Sequence, residues 1–259
     1  MEKLKLGILG SGYLGGIIAN AWKDGLLPEY ELVGIAGRNM DKTNKLAKEM
    51  GCKGVATADE LIAMKPDYIA EAASGDAVRE FSIKALENGI NIAILSIGAY
   101  ADADFFERVK TAARENNAKV YIASGAIGGF DVLRTVALMG QAKTNFDTCK
   151  GPKSLRNTPV FEEKIMTEKT KVFDGSAKEI IAMLPTKVNV AVAASLASVG
   201  PDNTDVTMTT IPDYIGDDHR ITEEIEGVKA VIDVYSSTSA IAGWSVVALL
   251  QNIVSPIVF

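Results

Sequence analysis

The sequence predicts an α/β chain in which a doubly wound parallel sheet comes first and an α+β region follows. Three observations carry that prediction. From Leu4 to about Ser124, short and continuously apolar runs alternate with amphipathic stretches, the pattern of parallel strands covered by helices on both faces. A glycine-rich turn closes the first of those runs. Beyond Ser124, strand-like stretches follow one another with few crossovers, which predicts an antiparallel sheet with helices on one side.

The elements of the first region are read in order. Leu4–Leu9 is a strand ending in glycine, and Leu14–Trp22 has helical spacing of its apolar residues. Glu31–Ala36 is a second strand, and Asp41 opens a helix with Leu46, Ala47 and Met50 on one face. Asp67–Ala72, Ile90–Leu95 and Lys119–Ile122 are further strands. Between them Asp76–Glu87 and Asp102–Asn116 read as helices with acidic first turns, where negative charge meets the positive helix end. In the second region Phe130–Met139, Ser176–Met183 and Val188–Ser198 read as helices. Asn145–Lys150, Lys171–Phe173, Thr204–Ile211, Arg220–Glu226 and Val228–Val234 read as strands. The boundaries are a first domain over 1–124 and a second over 125–239, with a last helix, Ala240–Ile253, that can return to the first domain.

Composition narrows the function. A length of 259 residues suits one large or two medium domains. With Lys+Arg at 27 against Asp+Glu at 33, no basic excess is available to neutralise nucleic-acid phosphates. Two cysteines, Cys52 and Cys149, and one histidine, His219, give no disulfide framework and predict no metal site. Met1-Glu2-Lys3-Leu4-Lys5 leads straight into a strand without a signal-peptide core, so the reading is cytoplasmic. Ala240–Val258 is apolar but contains Trp244, Gln251, Asn252 and Pro256, which favours a buried helix over a membrane span.

Gly10-Ser11-Gly12-Tyr13-Leu14-Gly15 is a G-x-G-x-x-G that follows a strand and opens a helix, the context that dinucleotide binding requires. Gly10 permits the tight turn, Gly12 lets the backbone approach a pyrophosphate, and Gly15 allows close helix–sheet packing. The helix N-terminus presents free N–H groups to the phosphates. The first domain is therefore read as a Rossmann domain. An acid about 20 residues further on would bind the adenosine ribose. Here the second strand runs Ile35-Ala36-Gly37-Arg38-Asn39 instead. Without that carboxylate a 2′-phosphate is not repelled, and Arg38 can pair with it, so NADP is accepted alongside NAD. The alternative leaves Arg38 a solvated surface residue. Ala73 and Ser74, after the strand that ends in Glu71, and Ser96-Ile97-Gly98, after the next, are small residues where nicotinamide and its ribose need room.

Four further segments resemble one family. Ser124-Gly125-Ala126-Ile127-Gly128-Gly129 is similar to a segment of the L-aspartate dehydrogenases. So are Leu184-Pro185-Thr186-Lys187-Val188-Asn189-Val190-Ala191, Asp217-Asp218-His219-Arg220-Ile221 and Ser237-Thr238-Ser239-Ala240. The resemblance covers nearly the whole chain in order. It implies a Rossmann domain with an α/β catalytic domain, L-aspartate oxidation with NAD or NADP, and a homodimer. It places Ala126 and Asn189 on nicotinamide-cofactor positions and His219 on the active-site histidine. Lys187, Asp217, Arg220, Ser236-Ser237 and Lys150-Gly151-Pro152 depart from the family pattern. Their clustering where substrate is expected keeps open a different amino acid or an imine as substrate. A non-catalytic NAD(P)-binding regulator is the other alternative, one that would not need Asn189 or His219.

His219 is read as lying in a polar turn after a strand, with Asp217 and Asp218 positioned to raise its pKa or orient a ring nitrogen. Imidazole titrates in the range that amino-acid oxidation needs, although a lone histidine is more often structural. A dicarboxylate needs cationic partners, and Lys150, Lys153 and Arg156 are candidates, with Ser124 a further substrate contact. Cys149, at a strand end with no helix terminus beside it, is read as a packed residue and not a nucleophile.

Overall fold

The computed structural model describes residues 2–184 and 188–259. Pro185, Thr186 and Lys187, part of the family-like segment that begins at Leu184, lie outside the described residues. The chain divides into two compact units, Met1–Gly125 with Ala240–Phe259, and Ala126–Ser239.

The first unit holds β1 (Leu4–Leu9), α1 (Tyr13–Lys23), β2 (Tyr30–Ala36), α2 (Met40–Met50), β3 (Lys53–Val55), α3 (Ala58–Ile62), β4 (Tyr68–Glu71), α4 (Gly75–Glu87), β5 (Asn91–Ile94), α5 (Ala103–Glu115) and β6 (Val120–Ile122). The strands form a six-stranded sheet in the order β3-β2-β1-β4-β5-β6, and its registered pairs are all parallel. Ile8, Ile35, Ala70 and Ala93, from the four central strands, are fully buried, as strands covered on both faces require. Two short elements were not anticipated. β3 is only three residues long, and α3 is a five-residue helix held by a capping box in which Thr57 and Glu60 bond each other's backbone N–H groups. A 3-10 turn, Ile97–Ala101, follows β5.

The last helix, α9 (Ala240–Val254), packs within this first unit. Val246, Val247 and Leu250 are buried, each contributing about 1.5–3 kcal/mol by area removed from water. The Tyr30 hydroxyl donates to Leu250 O at 2.9 Å, and Gln251 Nε2 donates to Leu26 O at 2.8 Å. Close approach explains Gly243, where a Cβ would lie 3.0 Å from the Ile17 side chain on α1. Ser245 Oγ accepts from the Gly125 N–H at 3.0 Å, so α9 also fixes the chain just after β6.

The second unit holds α6 (Phe130–Met139), β7 (Lys143–Lys150), β8 (Thr170–Ser176), α7 (Ala177–Met183), α8 (Asn189–Ala197), β9 (Thr204–Thr210), β10 (Asp217–Ile225) and β11 (Val228–Ser236). Its five strands run β11-β10-β7-β9-β8. The sheet is mixed, not antiparallel as the sequence suggested. β7 and β9 pair in parallel, because the chain between them makes a crossover through β8, α7 and α8. The other pairs are antiparallel. Alternation along β7, with Thr144, Phe146 and Thr148 buried and Lys143, Asn145 and Asp147 exposed, gives the sheet one covered face and one polar face.

β10 begins three residues earlier than the sequence reading, at Asp217 and not at Arg220. The polar run Asp217-Asp218-His219 reads locally as a turn. Registered pairing on both sides, with Lys150, Cys149 and Thr148 of β7 and with Ser236, Tyr235 and Val234 of β11, overrides that preference.

Candidate active site

The glycine turn lies at the C-terminal end of β1, between the ends of β2 and β4. Gly10 N–H donates to Ala36 O at 2.8 Å, and Ala72 N–H donates to Leu9 O at 2.8 Å. Gly10 has φ +122°, and a Cβ there would lie 2.4 Å from Ala72 O, so only glycine fits. A Cβ on Gly15 would lie 1.9 Å from Gly10 O, which ties the third glycine to helix–turn packing. Gly12 differs, because a Cβ there meets nothing within 4 Å. Its requirement is open space above the N-terminus of α1, whose N-cap is Gly12 itself with no side-chain cap bond. Free N–H groups facing open space at a helix N-terminus fit a pyrophosphate. Tyr13, 64% exposed, and the half-buried Leu14 begin α1 beside that space.

The end of β2 is drawn against the same turn. Thr43 Oγ1, fully buried in α2, lies 2.8 Å from Ser11 Oγ and 2.9 Å from Asn39 O. A Cβ on Gly37 would meet Ser11 Oγ at 2.4 Å, so glycine permits this approach. Arg38 is exposed, directly before the Asn39 N-cap of α2, and makes no hydrogen bond or ion pair among the described residues.

Glu71 is a feature the sequence reading passed over. It ends β4 fully buried. Its carboxylate accepts from Ala73 N–H (2.7 Å), Leu95 N–H (3.1 Å), Ser96 N–H (2.9 Å) and the Ser96 hydroxyl (2.8 Å). Burial pushes the carboxyl up from its usual range, and these donors oppose the shift. The side chain fixes the loops that follow β4 and β5, where Ala73 is exposed and Ser74 caps α4 by accepting from Ala77 N–H at 3.2 Å. An acid ending an otherwise apolar central strand, Tyr68-Ile69-Ala70-Glu71, was the available signal.

In the second unit, His219 lies inside β10 and is 4% exposed. This corrects its placement in a polar turn. Its ring is tilted against Phe146 with centroids 5.7 Å apart, and Nδ1 lies 2.9 Å from Thr148 Oγ1. Burial pushes the imidazole down from 6.5 to about 4. The Lys150 charge acts in the same direction, and Asp217 opposes both. The neighbouring carboxylates therefore do not raise the pKa overall, and the hydroxyl of Thr148, not an aspartate, holds the ring. Asp217 shares the His219 face. Asp218 points to the other face, where its Oδ2 lies 3.5 Å from the Tyr214 hydroxyl.

Lys150 ends β7 on the His219 face, its side chain 12% exposed, with Nζ 3.7 Å from Asp217 Oδ1. Lys153, in the 3-10 turn Pro152–Leu155, and Arg156 after it are exposed and share no hydrogen bond or ion pair with this cluster among the described residues. Arg220 is also exposed and pairs with Asp233 at 2.9 Å, so this departure from the family pattern faces away from His219. Cys149 lies on the same outer face as Asp218, and burial pushes its thiol up. Ser124 belongs to the first unit and Ala126 to the second, both half-buried, while Asn189 opens α8 exposed. Among the described residues no group of three or more His, Cys, Asp or Glu is arranged to hold a metal, and no helix is long and apolar enough to cross a membrane.

A parallel sheet in this strand order, with an open glycine turn at a helix N-terminus, is the Rossmann dinucleotide fold. It is joined in one chain to a mixed sheet that buries a histidine, and the named relatives of this arrangement are NAD(P)-dependent oxidoreductases. Comparison with known proteins narrows the class. A family model described as homoserine dehydrogenase, NAD binding domain, matches residues 6–123, and one described as aspartate dehydrogenase, C-terminal, matches residues 131–253. L-aspartate dehydrogenases of Methanococcus maripaludis and Methanosarcina acetivorans are 32% and 34% identical to this chain, over 98% of it and 98% of their own length. The crystal structure of aspartate dehydrogenase from Thermotoga maritima matches with a TM-score of 0.78 at 26% identity, covering 99% of each chain. The chain belongs to the L-aspartate dehydrogenase family.

Proposed function

We propose that this chain oxidises L-aspartate with NAD or NADP to iminoaspartate, which water converts to oxaloacetate and ammonia, and that it also runs the reverse reductive amination. The observation that carries the reading is the sheet face on which His219, Thr148, Lys150 and Asp217 meet. Membership of the family supports the substrate.

When bound, the nicotinamide cofactor supplies the acceptor for the hydride on the aspartate Cα. Gly10, Gly12 and Gly15 give it a phosphate turn, with Tyr13 and Leu14 beside it, and Arg38 stands free to pair with a 2′-phosphate. Ala73, Ser74, Ala126 and Asn189 are its remaining candidate contacts. His219 handles protons. Its ring is neutral at pH 7, so it can take a proton from the substrate ammonium, which must lose one before the amine becomes an imine. The imidazolium then releases that proton to solvent, and the neutral ring accepts one from the water that adds to the imine carbon. Ser124 and Lys153 remain candidate substrate contacts beside Lys150.

The departure at Asp217 favours a second reading, a related dehydrogenase with another amino acid as substrate, because this carboxylate shares the face of His219. Initial rates of NADPH oxidation with ammonia and a panel of 2-oxo acids separate the two, with oxaloacetate the preferred acceptor under the first. We also read the protein as a cytoplasmic homodimer. The free thiols of Cys52 and Cys149 suit a reducing compartment, and Val231 and Tyr235 are exposed large side chains on the open sheet. Sedimentation velocity tests the dimer.

A further inference from the structure

We propose that Lys150 is the seat of a substrate carboxylate, and that Asp217 holds the seat as a counter-ion until that carboxylate arrives. The identity of the anion rests on the aspartate reading above. The existence of the seat rests on geometry.

Lys150 is an ammonium in an unusual position. Its backbone is fixed in β7, paired with Asp217 of β10 on one side and Thr210 of β9 on the other. The corner beyond it is tight, since a Cβ on Gly151 would lie 2.6 Å from Tyr214 O. Only 12% of the side chain is exposed, yet among the described residues Nζ makes no hydrogen bond. Asp217 stands at 3.7 Å, beyond hydrogen-bond distance, with 47% of its own side chain exposed. An ammonium carries three donors, and no protein acceptor among the described residues fills them here, so the mostly buried side chain leaves them to the little solvent that reaches its tip. A half-solvated carboxylate at that separation neutralises little of the charge. The group is thus prepared for a better anion, and Lys153 and Arg156, exposed to solvent, are not.

The seat is placed for the reaction. Thr148 is registered directly opposite His219, and Lys150 is two residues further along the same face, making it the diagonal neighbour of the ring. Diagonal positions stand about 7–8 Å apart, within reach of long side chains. A carboxylate held at Nζ therefore leaves the rest of a small diacid directed toward the imidazole.

Filling the seat also changes His219. The groups around the ring are Lys150 and Asp217 on its own face, with Thr148 and Phe146 uncharged beside it. Its β11 partner is Val234, Asp218 lies on the other face, and the α6 charges Asp131 and Arg134 are exposed. Neutralising Lys150 removes a charge that holds the imidazole deprotonated, so carboxylate binding makes the ring more basic as proton transfer is required.

His219 is the only histidine in the sequence, so 15N-histidine labelling gives an NMR spectrum with one imidazole. Succinate, a diacid with no amine to oxidise, is titrated into the NADP-bound protein. The seat predicts that succinate binds and raises the His219 titration midpoint. Lys150→Met should weaken succinate roughly ten- to one-hundred-fold and abolish the midpoint shift, with NADP affinity unchanged. Lys150→Arg should keep part of both, and Asp217→Asn, which removes only the counter-ion, should tighten succinate. Equal succinate binding by wild type and Lys150→Met, or binding that leaves the imidazole unmoved, overturns the proposal. A protein that passes these tests and does not oxidise aspartate retains the seat and overturns the substrate reading instead.

Discussion

Thr148 and His219 face each other across the β7–β10 pair with Oγ1 2.9 Å from Nδ1. This contact occupies one ring nitrogen and leaves Nε2 for chemistry. A hydroxyl both donates and accepts. When Thr148 donates to Nδ1, Nε2 carries the ring proton. When it accepts from Nδ1–H, Nε2 presents a lone pair. Either tautomer is thus available without moving the ring, which suits a group that removes a proton in one direction and returns it in the other.

Replacing His219 by Ala should lower aspartate turnover about 100-fold or more, the range for a lost general acid/base. NADP and NAD affinity, measured by fluorescence titration, should stay within about twofold, an effect of less than about 0.5 kcal/mol. Thr148→Val, which keeps the shape and removes the hydroxyl, should fall between wild type and the alanine variant and should move the acid limb of the pH–rate profile.

Stability should also report the buried imidazole. The ring binds its proton near pH 4 in the folded chain but near 6.5 when unfolded, so between those values the unfolded state holds more protons. Folding stability contributed by this group is therefore present above pH 6.5 and lost as pH falls toward 4. Urea midpoints across that window should fall less steeply in His219→Gln than in wild type.

The glycine turn separates two kinds of requirement. Gly12→Val should fold with a melting temperature near wild type, because nothing lies within 4 Å of the new Cβ, and should bind neither NAD nor NADP. Gly10→Ala should destabilise the chain by about 1–3 kcal/mol, as its Cβ meets Ala72 O at 2.4 Å in a left-handed backbone. Differential scanning calorimetry with cofactor titration distinguishes the two outcomes.

Arg38→Glu should weaken NADP more than NAD by about 2 kcal/mol, since it exchanges an arginine–phosphate pair for repulsion. Calorimetric titration with both cofactors measures the difference. Equal weakening would remove Arg38 from 2′-phosphate recognition.

Most elements of the first unit were legible because parallel strands write themselves as apolar runs, and Gly10-Ser11-Gly12 marks its own turn. What escaped was short or governed by distant pairing. β3 carries too few residues to show a period, and the Thr57–Glu60 box was the signal for α3. The parallel β7–β9 pair depends on a crossover that strand composition does not encode. His219 was misplaced, because Asp217 and Asp218 read locally as turn residues and only two neighbouring strands make them part of a ladder. Its neutral state depends on burial and on Lys150, both products of tertiary structure.

Aspartate-dependent reduction of the cofactor is the most direct test. Purified protein with L-aspartate and NADP or NAD at alkaline pH should accumulate NADPH or NADH together with equimolar ammonia. Oxaloacetate and ammonia should consume the reduced cofactor at neutral pH. His219→Ala, still binding cofactor, should do neither at more than about one-hundredth of the wild-type rate. Absence of aspartate-dependent reduction by a protein shown to bind the cofactor, or full activity in the alanine variant, would contradict the account.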